Sequence, residues 1–394
     1  MKKIVVASDS FKGCLSSMQV ADAVERAVLQ ACPACDVIKI DVADGGEGTM
    51  DALQHTLGGH KIWLEVSDPL GRPVRASYVI LEDGTTAVVE MAAASGLPLL
   101  SPEERNPLET STYGTGQLIA DALNKGCRKF LIGIGGSATN DAGMGMLQAL
   151  GYRFTDARGC VLHGCGESLE KVASIDASSA SPALMESEFI VACDVEAPLY
   201  GPKGAAHIFA PQKGAGAETV ERLDNGLQHF SEVVAKSMNV IENYAQTPGA
   251  GAAGGLGFGL IAFLNARLVS GIDMVLDAIG FDSIIKDADL IITGEGRIDS
   301  QTLTGKTPYG VLQRAKRQGI PVVAIGGCVL LGPEESNTAG FAALLQATPP
   351  EMSLEYAMNP EIAKENIARS VLGMEEICKF APRIQKQRII LQSK

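Results

Sequence analysis

Five short apolar runs in this chain each stop at a loop of glycine, hydroxyl and carboxylate residues. The runs begin at Ile4, Val37, Phe130, Leu290 and Val322. A buried strand of a parallel sheet is apolar along its length, because helices cover both faces of the sheet. Ligands of such sheets gather beyond the carboxyl ends of the strands, where glycine lets backbone N–H groups approach an anion. The pattern therefore predicts an α/β fold with parallel sheets and favours an enzyme that handles a phosphorylated ligand.

Charge and hydrophobicity narrow the range of partners. The 394 residues carry a formal net charge of −13 at pH 7, and an acidic surface repels both nucleic acid and anionic membrane. The first apolar run ends after four residues at Ser8 and Asp9, which is too short for a signal peptide. No uninterrupted apolar stretch of about 18 residues follows it. We therefore expect no nucleic acid or membrane partner, a cytoplasmic location, and a monomer or small homo-oligomer.

The order of the predicted elements indicates two α/β domains, which suits the length of the chain. Strand and helix alternate at the start, whereas residues 63–90 form short β-rich runs separated by hairpin signals such as Asp83-Gly84. A strand over 289–293 restores the alternation, so we expect the two chain ends to share one parallel sheet, with a ligand cleft between the domains. The expected domains are residues 1–64 plus 284–394, and an inserted domain of residues 65–283.

Acidic residues lie in two loops of the predicted common sheet. Asp44 and Glu47 follow the second strand, and Glu295 and Asp299 follow a strand that we expect to end at Thr293. Carboxylates concentrated in this way suit Mg²⁺, a hard cation that takes one or two of them together with substrate phosphates. The same acids could instead cap helices and complement the helix dipoles. Both interpretations stay open on this pattern alone.

Single charged residues after other strands are candidates for catalysis and binding. Asp194 follows an apolar strand, and an acid in that position is a candidate general base or metal ligand, or part of an ordinary Asx turn. Lys12 follows Asp9 and Ser10 in the first loop after a strand. It suits a carboxylate or phosphate group, unless it is a solvated surface lysine.

Glycine-rich loops supply candidate phosphate contacts. Residues 133–138 follow a strand and fit the dinucleotide fingerprint G-x-G-x-x-A, with Asp156 about 20 residues further on. This leaves an NAD-dependent oxidoreductase acting on a small hydroxy acid as an alternative function. The same glycines would serve any phosphate at a helix N-terminus, or only a tight turn. Residues 249–257 have too few side chains for a core, so we expect close backbone approach to a ligand there. Lys306 is a further candidate contact for phosphate.

Longer segments carry a more specific signal than any single glycine motif. They are DSFKG from Asp9, DGGEGT from Asp44, DPLGRPV from Asp68, EMAAASGL from Glu90, TSTYGTGQLI from Thr110, IGIGGSATNDAG from Ile132, CDVEAPLYGPKGAAHIFAPQKGAG from Cys193, GAGAAGGLGFG from Gly249 and TGEGRIDSQTLTGKTPYGV from Thr293. Taken in order, these segments resemble the bacterial type-1 glycerate kinases (glycerate 2-kinases) nearly from end to end. Ala142 and Ala210 stand where we expect glycine in that family, and Val42 and Ala43 where a Pro-Leu-like pair is usual.

The resemblance implies two α/β domains, the first flavodoxin-like and built from both chain ends. It also implies ATP-dependent phosphorylation of D-glycerate with Mg²⁺, at the 2-hydroxyl to give 2-phosphoglycerate. Phosphoryl transfer needs positioning and charge neutralisation and no nucleophilic triad, which agrees with the glycine loops, cations and acids described above. A non-catalytic protein that binds an acidic sugar is disfavoured, because it needs neither the clustered acids nor so many glycine loops.

The resemblance also suggests roles for individual residues, which we state as hypotheses. Asp194 would accept the proton of the substrate hydroxyl, and Lys12 with Ser10 would hold the glycerate carboxylate or the transferred phosphoryl group. The candidates for the Mg²⁺ shell are Asp44, Glu47 and Glu295. The candidates for contacts with substrate or nucleotide phosphates are Arg297, Gly135, Gly136, Ser137, Lys213, Gly254 and Gly255.

Overall fold

The computed structural model describes residues 2–46, 48–237 and 243–374. The strands, numbered along the chain, are β1 (Lys3–Ser8), β2 (Asp36–Asp41), β3 (His60–Ser67), β4 (Pro73–Ile80), β5 (Thr86–Glu90), β6 (Lys129–Gly133), β7 (Arg153–Thr155), β8 (Ser174–Asp176), β9 (Glu188–Ala192), β10 (Arg267–Val269), β11 (Leu290–Ile298), β12 (Val322–Val329) and β13 (Ala343–Gln346). The α-helices are α1 (Ser17–Ala31), α2 (Thr49–Leu57), α3 (Ala92–Ser95), α4 (Tyr113–Asn124), α5 (Met144–Ala149), α6 (Ala205–Phe209), α7 (Ala217–Ser237), α8 (Ala252–Leu264), α9 (Gly271–Ala278), α10 (Phe281–Ile284), α11 (Thr307–Arg317), α12 (Pro333–Ala339), α13 (Leu354–Ala357) and α14 (Pro360–Leu372).

The chain divides into two compact units. The first, which we call the terminal unit, comprises Met1–Asp44 and Val275–Lys394, and the second, the central unit, comprises Gly45–Met274. The predicted domain limits at residues 64 and 284 stay a prediction, because compactness within one chain does not show that either part folds alone. Each unit has its own sheet and its own hydrophobic core.

The sheet of the terminal unit consists of five parallel strands in the order β13-β12-β11-β1-β2. Counted within the unit, this is the 2-1-3-4-5 order of flavodoxin-like sheets. The α/β class with a flavodoxin-like parallel sheet is thereby confirmed. The strand order reverses between β1 and β11, and ligands of such sheets bind beyond the carboxyl ends of the strands at this switch point.

The first strand and helix form as their sequence predicts. Residues of β1 are almost completely buried, as the strand lies in the interior of the sheet. The helix α1 begins after Ser16, whose hydroxyl accepts a hydrogen bond from Gln19 N while Gln19 Oε1 accepts one from Ser16 N. This capping box satisfies two donors at the helix start. Val20 and Val24 on the inner face join the core of the terminal unit, and each buried side chain stabilises the unit by roughly 1.5–3 kcal/mol.

The central unit contains a mixed sheet of six strands in the order β10-β9-β6-β5-β4-β3. The strands β10, β9, β6 and β5 are parallel, whereas β4 and β3 pair antiparallel. The predicted hairpin at Asp83-Gly84 therefore joins β4 to β5. Stacked Phe130 and Phe189 lie in the core of this unit, and a separate two-stranded sheet is formed by β7 and β8. Among the described helices, none has the length and apolar character needed to span a bilayer.

Candidate active site

A cavity of about 490 Å³ opens in the terminal unit, at the carboxyl ends of β1, β11 and β12. One end of the cavity, which we call the charged end, carries the ionisable side chains Asp9, Lys12, Asp44, Glu295, Arg297 and Lys306. The hydroxyl residue Ser10 lines the same cavity. The structure therefore brings together six residues that the sequence predicted as site residues: Ser10, Lys12, Asp44, Glu295, Arg297 and Lys306.

Asp9 is a cavity residue that the sequence analysis did not propose for a role. Its side chain is buried, and its carboxylate accepts hydrogen bonds from Ser10 N at 2.6 Å and from Thr307 Oγ1 at 3.3 Å. Burial raises the pKa of Asp9, and the negative charge of Asp44 raises it further. The signal that could have identified it is its position directly after β1, at the switch point of the sheet.

Glu295 lies inside a strand, and not in a loop as predicted. The sequence analysis ended this strand at Thr293, but β11 continues to Ile298 because it pairs with β12 as far as Val329. The buried carboxylate accepts a hydrogen bond from Thr302 Oγ1 at 2.5 Å, and Lys306 Nζ lies 3.8 Å away. Burial raises the pKa of Glu295, which indicates that the site favours either a proton or a nearby cation at this position.

The cations of the charged end are more exposed than its acids. The loop that carries Lys12 is held by two backbone hydrogen bonds between Phe11 and Leu15, both of which are buried. The Lys12 side chain is 76% exposed, and its Nζ lies 3.6 Å from Asp44. Arg297 is also exposed, with its Nε 3.1 Å from Asp299. Cations held loosely in this way can turn from these carboxylates to an anionic ligand at small cost, because surface ion pairs contribute little stability.

The acids of the charged end fit a magnesium ion in the manner of a phosphate-transferring enzyme. Among residues 2–46, 48–237 and 243–374, no three His, Cys, Asp or Glu side chains form a group that could hold a metal by themselves. Mg²⁺ commonly uses only one or two carboxylates, with substrate phosphates and water completing the shell. Asp44 and Glu295 supply two such carboxylates in one cavity. The third predicted ligand, Glu47, lies outside the described residues.

In the central unit, the predicted phosphate loop lies between β6 and α5, over residues 134–143. Gly135 and Gly136 are exposed, and Gly136 has a φ of 72°. Ser137 is buried, and its hydroxyl accepts a hydrogen bond from Lys213 Nζ at 2.8 Å. The two glycines are therefore open to solvent, whereas the side chain of Ser137 contacts the protein.

Lys213 is a fully buried lysine that holds this loop. Its Nζ also donates to the backbone oxygen of Thr139 at 2.6 Å. Burial lowers the pKa of Lys213 to about 7, although the charge of Asp141 opposes this shift. Asp141 is also buried and accepts hydrogen bonds from Thr112 and from the N–H groups of Gly143 and Gly145. The phosphate role of Lys213 stays a prediction, and its observed contacts are with the loop.

Gly254 and Gly255 contact the same loop from the start of α8. Both have positive φ, of 69° and 87°. A Cβ atom on Gly254 would lie 2.0 Å from the backbone oxygen of Thr139. Ala142 also has a positive φ, of 53°, and donates its N–H to Gly254 O, which explains why glycine is the expected residue at position 142. The close backbone approach predicted for 249–257 is thus made with the protein itself, and the nucleotide role of these glycines stays a prediction.

Asp194 lies two residues beyond β9, at the same edge of the central sheet as the loop after β6, because β6 and β9 are parallel neighbours. The side chain is exposed. Its Oδ1 accepts a hydrogen bond from Gly271 N at 2.9 Å, at the first residue of α9. This hydrogen bond from the first residue of a helix orients the carboxylate, and a carboxylate can act as a general base.

Residues 133–138, which match the dinucleotide fingerprint, do not have the strand–turn–helix structure that this motif requires. In that motif the glycines open a helix, but β6 ends at Gly133 and α5 begins only at Met144. Asp156 follows the short strand β7, and its Oδ1 accepts hydrogen bonds from Arg158 N and Cys160 N. It forms an Asx turn. The geometry therefore gives no support to the NAD-dependent alternative.

Comparison with known proteins shows the family of the chain. The model of the glycerate kinase family matches residues 4–379. The chain belongs to the glycerate kinase family. It is 47% identical over 379 residues to the glycerate kinase of Bacillus subtilis (strain 168), covering 96% of this chain and 98% of that protein. It is 48% identical over 325 residues to the glycerate 2-kinase of Escherichia coli (strain K12), covering 82% and 85%.

A solved structure supports the family membership. The chain matches the crystal structure of a proposed glycerate kinase 2 from Salmonella typhimurium LT2 with a TM-score of 0.87 and 43% sequence identity. The match covers 97% of this chain and 99% of that one. The family predicted from the ordered segments is therefore confirmed, and the charged cavity belongs to a glycerate kinase fold.

Proposed function

We propose that this glycerate kinase transfers the terminal phosphoryl group of ATP to the 2-hydroxyl of D-glycerate, giving 2-phosphoglycerate and ADP. The observation that carries the proposal is the charged end of the cavity, where three cations accompany acids suited to a metal ion. Phosphoryl transfer depends mainly on positioning the reactants and neutralising their charge. The names of the relatives, glycerate kinase and glycerate 2-kinase, support the acceptor and the position.

The residues of the charged end have different roles in this proposal. Lys12 and Ser10 hold the transferred phosphoryl group or the glycerate carboxylate, and Arg297 binds a further anionic oxygen. Lys12 is well suited because its exposed ammonium can leave Asp44 for a ligand without becoming a buried, unpaired charge. Mg²⁺ held by Asp44 and Glu295 would neutralise charge on the phosphates. Glu47 stays a predicted third ligand.

Asp194 is proposed as the group that accepts the proton of the glycerate hydroxyl. Its side chain is exposed, so that a substrate can reach it, and the hydrogen bond from Gly271 N orients the carboxylate. Gly135 and Gly136 present exposed backbone at the same sheet edge, where an anionic group of either reactant can approach the chain closely.

One assay separates the proposed function from its alternative. The purified protein is incubated with D-glycerate, ATP and Mg²⁺ while ADP release is followed, and then with D-glycerate and NAD while absorbance of the reduced cofactor is followed. We expect ADP release only in the first reaction, and a phosphorus NMR spectrum of the product that matches 2-phosphoglycerate. A product phosphorylated at the 3-position would contradict the regiochemistry, and reduction of NAD without ADP release would contradict the reaction class.

A further inference from the structure

The cavity of the terminal unit has a second side whose chemistry differs from that of the charged end. Beyond β13, the side chains of Pro349, Pro350, Met352, Leu354 and Met358 line it, and we call this set the apolar wall. Leu354 is 77% exposed and Met358 is 37% exposed. Large apolar side chains that stay exposed around a cavity mark a binding surface more often than an isolated exposed leucine does.

The apolar wall and the charged end are parts of one continuous site. A Cβ atom added to Gly13, next to Lys12, would lie 3.2 Å from Cε of Met358. The methyl group of Met358 therefore packs over the loop that carries Lys12. A single ligand that occupies the cavity would contact a cation at one end and apolar side chains at the other.

We propose that the apolar wall binds the base of the nucleotide, so that the phosphates extend toward Lys12, Arg297 and Lys306. This inference rests on the proposed function, because it assigns ATP, one of the two substrates of the proposed reaction, to this cavity. Each carbon of glycerate carries oxygen, and phosphate groups are fully polar. Contact with prolines, methionines and a leucine would therefore add little to the binding free energy of either group. Of the groups in the reaction, only the nucleobase has a flat apolar face. Methionine side chains favour such faces, because their sulfur is polarisable.

A buried amide beside the wall can recognise the edge of the base. Asn366, on α14, lines the cavity and is 3% exposed. Its Nδ2 donates to Met352 Sδ at 3.4 Å, and a thioether sulfur is a weak acceptor. A ligand acceptor can replace that contact with a stronger one. An amide has a donor and an acceptor side by side, which matches the amino group and ring nitrogen on one edge of adenine.

This placement differs from the predicted nucleotide role of Gly135, Gly136, Ser137, Lys213, Gly254 and Gly255 in the central unit. Lys213 and Ser137 are hydrogen bonded to each other, and Gly254 packs on the backbone of Thr139. None of these observed contacts is with an apolar surface suited to a base. The terminal unit offers both required chemistries in one cavity.

The test compares two exposed residues of the same short helix. Leu354→Asp places a charge on the apolar wall, whereas Tyr356→Asp changes a neighbour that is 56% exposed and does not line the cavity. Binding of ADP and of inorganic tripolyphosphate, each with Mg²⁺, is measured by calorimetry. We expect Leu354→Asp to weaken ADP binding roughly tenfold, since a lost contact of about 1.4 kcal/mol has that effect. We expect tripolyphosphate binding to stay unchanged, and Tyr356→Asp to bind both ligands normally.

The outcomes distinguish this inference from the proposed function. Normal ADP affinity in Leu354→Asp, or an equal loss of tripolyphosphate affinity, overturns the inference even if glycerate is phosphorylated. A selective loss of ADP affinity supports the inference even if glycerate is not the acceptor. In a second variant, Asn366→Leu, we expect weaker ADP binding and unchanged tripolyphosphate binding. Unchanged ADP binding, or an equal loss for both ligands, overturns the role of the amide.

Discussion

Replacing Gly254 by alanine tests whether the glycines at the start of α8 serve packing or ligand binding. The new Cβ atom would lie 2.0 Å from the backbone oxygen of Thr139 and 2.6 Å from Cα of Asn140. Both neighbours are backbone atoms, so the loop itself must move. Alanine in the left-handed region costs about 1–2 kcal/mol, and an overpacked interior costs about 1–3 kcal/mol more. We expect Gly254→Ala to lower the free energy of unfolding by about 2–5 kcal/mol.

The matched control is Gly136→Ala. Its φ of 72° is close to the 69° of Gly254, but its added Cβ atom would meet only Cβ of Ala92 at 3.5 Å, an ordinary contact. The two variants share the cost of the left-handed backbone and any effect on the unfolded chain, which cancel in the comparison. The difference between them, about 1–3 kcal/mol, isolates the steric clash.

The single tryptophan makes the measurement specific for the central unit. Trp63 lies in β3, with the Arg75 guanidinium 4.9 Å from its ring centroid, so its fluorescence during urea unfolding reports on the unit that contains both glycines. If Gly254→Ala loses no more stability than Gly136→Ala, the packing role of Gly254 is wrong. If Gly254→Ala is fully stable but binds ADP poorly, the nucleotide role predicted from the sequence is supported instead.

Three further predictions concern charge. Asp194→Asn should reduce turnover by about 100-fold or more if Asp194 is the base. As a control, Asp156→Asn, which changes a residue of an Asx turn, should leave turnover near normal. Near-normal turnover of a folded Asp194→Asn protein would show that Asp194 is not the base. Lys213 has a pKa of about 7 in the folded protein, against an ordinary value of 10.5. Between these two pH values the unfolded chain binds more protons than the folded protein does. The free energy of unfolding should therefore rise with pH by up to about 1.4 kcal/mol per pH unit. This rise should be absent in Lys213→Met, measured with the same tryptophan signal between pH 7.5 and about 9.5; equal slopes in both proteins would contradict the burial of a titrating lysine. Glu295→Gln should raise the Mg²⁺ concentration needed for half-maximal activity at least tenfold, because losing even a hydrogen-bond partner of a metal ligand costs roughly 10–100-fold in affinity, and an unchanged requirement would exclude Glu295 from the metal shell.

Local signals predicted those parts of the site that depend on neighbours in sequence. The apolar run of β1 and the capping box of Ser16 and Gln19 each involve residues close together in sequence, so the limits of the loop carrying Lys12 follow from local sequence. The extent of β11 was predicted wrongly, since its last residues are held by pairing with β12 and not by their own composition. The glycine and small polar residues around Glu295 are typical of a loop, so the sequence alone does not predict that they form a strand with β12.

Other parts of the site depend on contacts that no local pattern reveals. The resemblance suggests Lys213 as a phosphate contact, and no local pattern indicates its burial, which follows from packing against the loop after β6, far from it along the chain. Asp9 lies within a matching segment, yet its raised pKa results from burial in the fold and then from the charge of Asp44. The apolar wall has no periodicity, and its side chains share one cavity with Lys12 only in the folded unit, where Met358 approaches the loop after β1.

The pairing of β1 with β11 also has a consequence for the synthesis of the protein. Ile4 lies opposite Leu290 in the sheet, so one edge of β1 has no partner strand until the ribosome has added about 285 further residues. At 5–20 residues per second this takes roughly 15–60 seconds. During that time the nascent β1–β2 pair presents an apolar edge of the kind that recruits other chains. We therefore expect chaperones to bind this edge during synthesis.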